Sequence, residues 1–195
     1  MQVVDKWPSS VAVTSSLGTA TYGQPVTYTA TMNTAAATGS VVFTVDGVTK
    51  YTAPLDTNGR ALLVLATQPV GQHTVTAAYG GSALYLPSVS PAVTTTVVKA
   101  NTVVTLRSSA ATAKRGTVVT FTATVTVVSP GVAVAAGAMV FTIDGRPYYV
   151  WVGQGGIARY STKAMKVGTH TVTATYLGDS NSNASVRRSL TQRIR

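Results

Sequence analysis

Apolar residues occupy every second position through much of this chain, and Thr fills many of the positions between. Val26-Thr-Tyr-Thr-Ala-Thr-Met32, Val41-Val-Phe-Thr-Val45 and Val75-Thr-Ala-Ala-Tyr79 show the pattern in the first half. Val119-Thr-Phe-Thr-Ala-Thr-Val125, Met139-Val-Phe-Thr-Ile143 and Val172-Thr-Ala-Thr-Tyr176 show it in the second. A period of two marks strands with one buried face, because successive side chains leave opposite sides of a sheet. Thr suits the other face, being β-branched with a hydroxyl for water. Gly, Pro, Asn and Asp separate the runs, and no long stretch carries a helical period. The pattern predicts seven strands near 11–16, 25–33, 40–46, 48–54, 60–66, 72–79 and 91–98. It predicts seven more near 103–108, 118–127, 138–144, 146–152, 157–162, 169–176 and 187–194. Asp46-Gly47 and Asp144-Gly145 fall between strands and suit the positive φ angles of a type I′ turn.

The two sets of strands are copies. Gly23–Thr31 matches Gly116–Thr124 at six of nine positions, and Gly39–Gly47 matches Gly137–Gly145 at six of nine. Val70–Tyr79 matches Val167–Tyr176 at eight of ten. The offsets of 93, 98 and 97 place five extra residues in one loop of the second copy, around Val128–Ala136. A period near 95 residues means tandem domains, not a solenoid of short units. The fold expected is all-β: two tandem immunoglobulin-like antiparallel β-sandwiches of about seven strands each. Domain 1 is expected over 7–99 and domain 2 over 100–195, with Lys99-Ala100-Asn101 as a short linker. The 93-residue offset also lays Val4 on Val97 and Lys6 on Lys99. Residues 1–6 therefore read as a tail or as the exit strand of a preceding repeat. Trp7 is expected to cover the base of its own domain or to pack on a preceding one.

The series Gly-x-Pro-Val-Thr-Tyr-Thr-Ala, Gly-Ser-Val-x-Phe-x-x-Asp-Gly and Val-Gly-x-His-Thr-Val-Thr-Ala-x-Tyr-x-Gly resembles the bacterial immunoglobulin-like domain repeats of large secreted and cell-surface proteins. The resemblance covers nearly the whole chain, twice. The Tyr-x-Gly-Asp ending of that family stands in Tyr176-Leu177-Gly178-Asp179, while domain 1 has Ser82 in place of the Asp. The resemblance implies a non-catalytic spacer, stalk or adhesive module, extracellular or on the cell surface, with neighbouring repeats as partners. It also leaves open a subunit of a surface filament or phage virion and an accessory module of a secreted glycosidase.

Composition narrows the chemistry. The 195 residues include no Cys and no Glu, five Asp and two His, and only 10% are charged, against about 25% in an average domain. Disulfides and Cys-ligated metals are excluded, and no Gly-x-Ser-x-Gly nucleophile turn occurs. No cofactor is implied. The most apolar windows are far shorter than the roughly 20 residues of a membrane helix. His73 and His170 occupy equivalent positions on the inward parity with no carboxylate nearby in sequence, and are expected to close one end of each sandwich. Asp179, in Gly-Asp-Ser-Asn-Ser-Asn, suits a turn, or a weak Ca²⁺ site, although such sites take six to eight oxygens.

Two surfaces of domain 2 are candidate contact sites. Arg146-Pro-Tyr-Tyr-Val-Trp151 has three aromatics where Val48–Ala53 of domain 1 has one. Tyr148 falls on one face of the strand, and Tyr149 and Trp151 on the other. With Arg146 and Arg159 they are candidates to stack on a sugar ring; alternatively they fill the core and cover an edge. Charge is the second feature: residues 1–100 carry +1 and residues 101–195 carry +9. On the last strand Arg187, Arg193 and Arg195 are expected outward, with Leu190 and Ile194 inward. They are candidates to contact an anionic polymer such as cell-wall or host polysaccharide, or else guard a sheet edge. Nucleic acid is the weakest partner class, since no binding motif accompanies the charge.

Overall fold

The computed structural model describes residues 5–132 and 135–195. Val4 and residues 133–134 of the longer loop lie outside them, and Asp5 and Lys6 carry no regular structure. The chain divides into two compact units between Val98 and Lys99.

In domain 1 the strands are β1 (Val11–Ser15), β2 (Thr19–Thr21), β3 (Val26–Met32), β4 (Ser40–Val45), β5 (Thr49–Pro54), β6 (Arg60–Leu65), β7 (Gly71–Tyr79), β8 (Ser88–Val89) and β9 (Val93–Val98). One sheet runs β1-β3-β6; the other runs β2-β9-β7-β4-β5, with β8 beside β7. Domain 2 repeats this with β10 (Thr102–Ser108), β11 (Thr112–Ala113), β12 (Val119–Val127), β13 (Ala138–Ile143), β14 (Arg146–Trp151), β15 (Ile157–Thr162), β16 (Gly168–Tyr176) and β17 (Arg188–Ile194). Its sheets are β10-β12-β15 and β11-β17-β16-β13-β14. All predicted strands are present. The short β2, β8 and β11 are additional; two or three residues are too few to show a period.

Alternation builds each core. Tyr28, Phe43 and Tyr79 are sealed in the first, and Phe121, Phe141 and Tyr176 in the second, with the Val, Ala, Ile and Met of the same parity around them. The Thr between them on the central strands β3 and β12 are half-buried rather than exposed. Each central strand has a neighbour on both sides, whose outward side chains shield these Thr.

The first strand of each domain changes sheets. β1 pairs antiparallel with β3, then the chain crosses and β2 pairs parallel with β9. At the crossing, Ser15 Oγ lies 2.8 Å from the Leu17 carbonyl and 3.0 Å from the hydroxyl of fully buried Thr95. In domain 2, Ser108 Oγ donates to Gln192 Oε1 at 2.6 Å, and the Gln192 amide reaches the Ala111 carbonyl at 3.4 Å. Gln192 thus joins Leu190 and Ile194 on the inward side, fully buried, because the crossing needs a polar partner there.

The expected linker is part of domain 2. Ala100 is completely buried; its N–H donates to Asn181 O, and its carbonyl accepts from Asn183 N. Asn101 O accepts from Val128 N, and Lys99 Nζ donates to Asp179 O. Trp7 holds the same place in domain 1, with its N–H on Leu84 O and its carbonyl accepting from Leu86 N. The residue is 68% exposed, so it does not cover the base of its domain.

The Asp-Gly turns differ by one residue. Ile143 pairs with Arg146 across a two-residue turn, whereas Val45 pairs with Thr49 across three residues. Hence Tyr51 faces Phe43 as Tyr148 faces Phe141, and the domain 1 counterparts of Tyr149 and Trp151 are Thr52 and Pro54.

Gly156 has φ +73°, and a Cβ there would sit 2.2 Å from the Val125 carbonyl oxygen. Gly156→Ala combines left-handed strain with a backbone clash, so it should cost domain 2 at least about 2 kcal/mol. Chemical denaturation of residues 99–195 is the check, and an unchanged midpoint would refute the assignment.

Candidate functional site

Each domain carries one Asp–His pair at the end holding the Asp-Gly turn. Asp46 takes φ +51° and Asp144 φ +48°, as the turn requires. The turn aims each carboxylate at the strand that follows in the sheet. Asp46 Oδ1 accepts from Thr74 N at 2.8 Å and Oδ2 meets His73 Nδ1 at 2.8 Å. Asp144 Oδ1 accepts from Thr171 N at 3.0 Å and Oδ2 meets His170 Nδ1 at 2.5 Å. The other ring nitrogen lies 2.8 Å from a carbonyl in both cases, that of Pro69 or of Lys166. A carbonyl only accepts, and so does a carboxylate, so each ring is favoured with both protons on.

Burial pulls the His73 pKa down, but the bonds to Asp46 and to the Pro69 carbonyl outweigh it and hold it above its ordinary value. At His170 the bond to Asp144 comes first, then the Lys166 carbonyl, and the pKa is again raised. Burial pushes Asp46 up, yet its bonds from His73 and Thr74 leave it lowered; the bond from His170 lowers Asp144. Sequence reasoning placed these His correctly but found them no carboxylate. The partner lies 27 residues earlier in domain 1 and 26 in domain 2, within a turn that already accounted for it. The signal available was that Asp and His recur together in both copies.

Asp179 is fully occupied. Oδ1 accepts from Asn181 N and Ser182 N at 2.8 and 2.6 Å; Oδ2 accepts from Ala136 N and the Tyr176 hydroxyl, both at 2.9 Å. Burial raises its pKa, but these four donors bring it below the ordinary value. Burial and then the bond to Asp179 push the Tyr176 phenol up. The carboxylate thus pins the long β12–β13 loop to the β16–β17 loop, and both oxygens are committed to that task. No cluster of three metal-ligating side chains occurs among the described residues. Ser82 keeps the turn in domain 1, and there the Tyr79 hydroxyl donates to Thr38 O at 2.9 Å.

The aromatic strand is β14, at the edge of its sheet. Tyr149 and Trp151 project from the outer face, 69% and 79% exposed. Tyr148 points the other way, its ring 4.4 Å from that of Tyr160 and packed on the core. Tyr148 is therefore not part of the outer surface. Arg159 is on the outer face of the other sheet, in one row with Thr122 and Arg107. Arg146 and Tyr148 instead line a cleft of about 230 Å³ with Asp144, Lys166 and His170. The five residues grouped from sequence thus separate into three places.

Arg193 and Arg195 are exposed on and just beyond β17. Arg187 is also exposed but precedes β17, six residues or roughly 20 Å from Arg193 along the strand direction. These three Arg do not form one compact patch.

The Asp–His pairs give a pH signature. A raised His pKa contributes stability that is complete below about pH 6.5 and is lost as pH rises through the folded-state value. A lowered Asp pKa contributes stability that is present above about pH 3.8 and lost as pH falls through the folded-state value. Each domain should be most stable between those limits. Since the carboxylates are 46% and 50% exposed, the alkaline loss should be about 1 kcal/mol or less per domain. Thermal unfolding from about pH 5 to 9 is the check: the wild-type midpoint should fall, and His73→Gln with His170→Gln should flatten the curve. A flat wild-type curve would refute the charge state.

The bacterial Ig-like domain family (group 3) matches residues 13–98 and again residues 105–195. No curated protein matches the chain. Among solved structures, the fibronectin(III)-like modules of Clostridium thermocellum CbhA are 19% identical, with 94% of each chain covered and a TM-score of 0.41. The Yersinia pseudotuberculosis adhesin InvE is 16% identical over 95% of this chain and 58% of its own, with a TM-score of 0.44. A 1.5-MDa bacterial ice-binding adhesin is 14% identical over 97% of this chain and 66% of its own, with a TM-score of 0.41. With its two sandwiches, paired Asp–His ends and two matched segments, the chain belongs to the bacterial immunoglobulin-like domain family, of which it carries two copies in tandem.

Proposed function

We propose that the chain is a non-catalytic structural and adhesive segment of a bacterial extracellular or cell-surface protein, in which domain 2 presents the contact surface. The observation that carries this reading is a division between the copies. The buried rows, the sheet crossing and the Asp–His pair recur in both domains. The large exposed aromatics of β14 and most of the positive charge belong to domain 2 alone.

The Asp–His pairs support a non-catalytic role. Each ring spends both nitrogens on fixed acceptors, so neither offers a lone pair to a substrate. Tyr149 and Trp151 lie about 7 Å apart along one strand face, with Val140 and Ala138 beside them. Flat, exposed rings on a rigid strand suit stacking on successive units of a sugar chain. We assign the folding units to residues 7–98 and 99–195, because the Lys99 side chain bonds within domain 2.

Two measurements test this. Residues 7–98 and 99–195 expressed separately should each fold by circular dichroism and amide exchange; an unfolded half would overturn the modular reading. On a glycan array, residues 99–195 should bind where 7–98 do not. Tyr149→Ala and Trp151→Ala should each weaken that binding about tenfold with no change in unfolding midpoint. Unaltered binding in both variants would remove the platform.

A further inference from the structure

We infer that the end of domain 2 formed by the Asp144-Gly145 turn is a docking site for a linear anionic glycan, a polymer bearing a phosphate, sulfate or carboxylate on its repeating unit. This rests on domain 2 being the contact-bearing copy, but it uses a surface separate from Tyr149 and Trp151.

The β-strand directions bring six bases to that end. Lys114 and Arg115 are in the β11–β12 turn, Arg146 opens β14, Lys163 and Lys166 are in the β15–β16 loop, and Arg195 follows β17. All six are exposed, and none makes a salt bridge among the described residues. Backbone bonds hold the loops together: Arg115 N donates to Arg195 O at 2.8 Å, and the Lys166 carbonyl accepts from His170. Arg146 and Lys166 flank one cleft of about 230 Å³, which gives an anionic group a recess between two cations. The acid at this end is Asp144, already held by His170. The other acid of domain 2, Asp179, is at the opposite end.

Domain 1 shows that the fold does not require these charges. Backbone bonds equate the positions without ambiguity. Tyr22 N donates to Val98 O as Arg115 N donates to Arg195 O. The Pro69 carbonyl meets His73 as the Lys166 carbonyl meets His170. Thr49 pairs with Val45 as Arg146 pairs with Ile143. The counterparts of Lys114, Arg115, Arg146, Lys163, Lys166 and Arg195 are Thr21, Tyr22, Thr49, Ala66, Pro69 and Val98. Not one is charged. A device for solubility alone would have no reason to gather at one end, and a structural requirement would recur in both copies.

A glycan fits this end better than nucleic acid does. Five of the six stand on loops or just past a strand end, and Arg146 opens β14. Tyr148, the aromatic of the cleft, is half-buried against Tyr160 and the core rather than free for base stacking, and among the described residues no helix or ribbon projects to enter a groove. Neighbouring cations within the ~8 Å Debye length at physiological salt act together on one chain of charges.

The test uses the full chain and two charge-matched variants. One carries Lys114→Ser, Arg115→Ser, Lys163→Ser and Lys166→Ser. The other carries Lys50→Ser in domain 1 and Arg107→Ser, Arg159→Ser and Arg187→Ser in domain 2, all exposed; Arg107 and Arg159 lie within strands opposite Thr122, and Arg187 precedes β17. Dissociation constants are measured against heparin, polygalacturonate and poly(glycerol phosphate), with single-stranded DNA and polyglutamate as competing classes. Wild type should bind at least one glycan probe, and the first variant should bind it about tenfold or more weakly, the second less than about threefold more weakly. The tightest of the three names the anionic group. Equal losses in the two variants, tighter binding to DNA or polyglutamate, or no glycan binding would each overturn the proposal. Unfolding midpoints of both variants matching wild type exclude misfolding as the cause. Binding that survives Tyr149→Ala with Trp151→Ala separates this site from the aromatic platform.

Discussion

Register is the constraint on which the rest of this structure depends. In a strand that reads Val-Thr-Tyr-Thr-Ala-Thr, a slip of one residue exchanges the whole buried row for Thr. Thr has nearly the shape of Val, so at the Val positions sterics oppose the slip weakly; the cavity left where Tyr28 or Phe121 was and the desolvated hydroxyls oppose it, together with whatever fixes the turn. The Asp–His pairs do the fixing. Each Asp ends one strand in a positive-φ turn and grips the backbone N–H and the imidazole of the next strand in the sheet. The ring then holds the carbonyl of the loop before it. One carboxylate and one imidazole thereby set the stagger of two strands and the exit of a third segment.

Much of this was legible in the sequence because the chain states it twice. The strand positions, the inward rows from Val26 to Tyr79 and from Val119 to Tyr176, and the placement of His73 and His170 follow from period, turn residues and repetition. What escaped depends on contacts remote in sequence. The pairing of Asp46 with His73 joins two residues that each had a local explanation. Gln192 sits in a strand of Arg, Ser and Thr, and its burial follows only from the Ser108 crossing against it. The shift that equates Tyr51 with Tyr148 arises from one added turn residue, which identity scores do not register. Arg146, Arg159 and the aromatics were grouped because they are close in sequence. A sandwich sends consecutive strands to different sheets, so closeness along the chain did not become closeness in space.

The two copies amount to a comparison made by the molecule itself. Most positions that agree hold the sheets together, while Thr95 and Gln192 differ and still serve the same crossing. Ser82 and Asp179 illustrate the boundary. Both keep the same turn, but only the carboxylate also accepts from Ala136 N, near the end of the longer loop, and from the Tyr176 hydroxyl. In domain 2 one carboxylate thus serves both the turn and the loop that ends at Ala136.

The parallel pairing of the first and last strands has a consequence for a chain held at both ends. Tension pulls β2 toward the start of its domain and β9 toward the end. Because the two run parallel, their hydrogen bonds are loaded in shear, all at once, rather than unzipped one by one. Both copies carry this clamp: Thr96 N bonds Gly18 O and Tyr22 N bonds Val98 O in domain 1, as Arg193 N bonds Ala111 O and Arg115 N bonds Arg195 O in domain 2. Under a steady pull each domain therefore resists through the same kind of clamp, which must slip as a block before the sandwich opens.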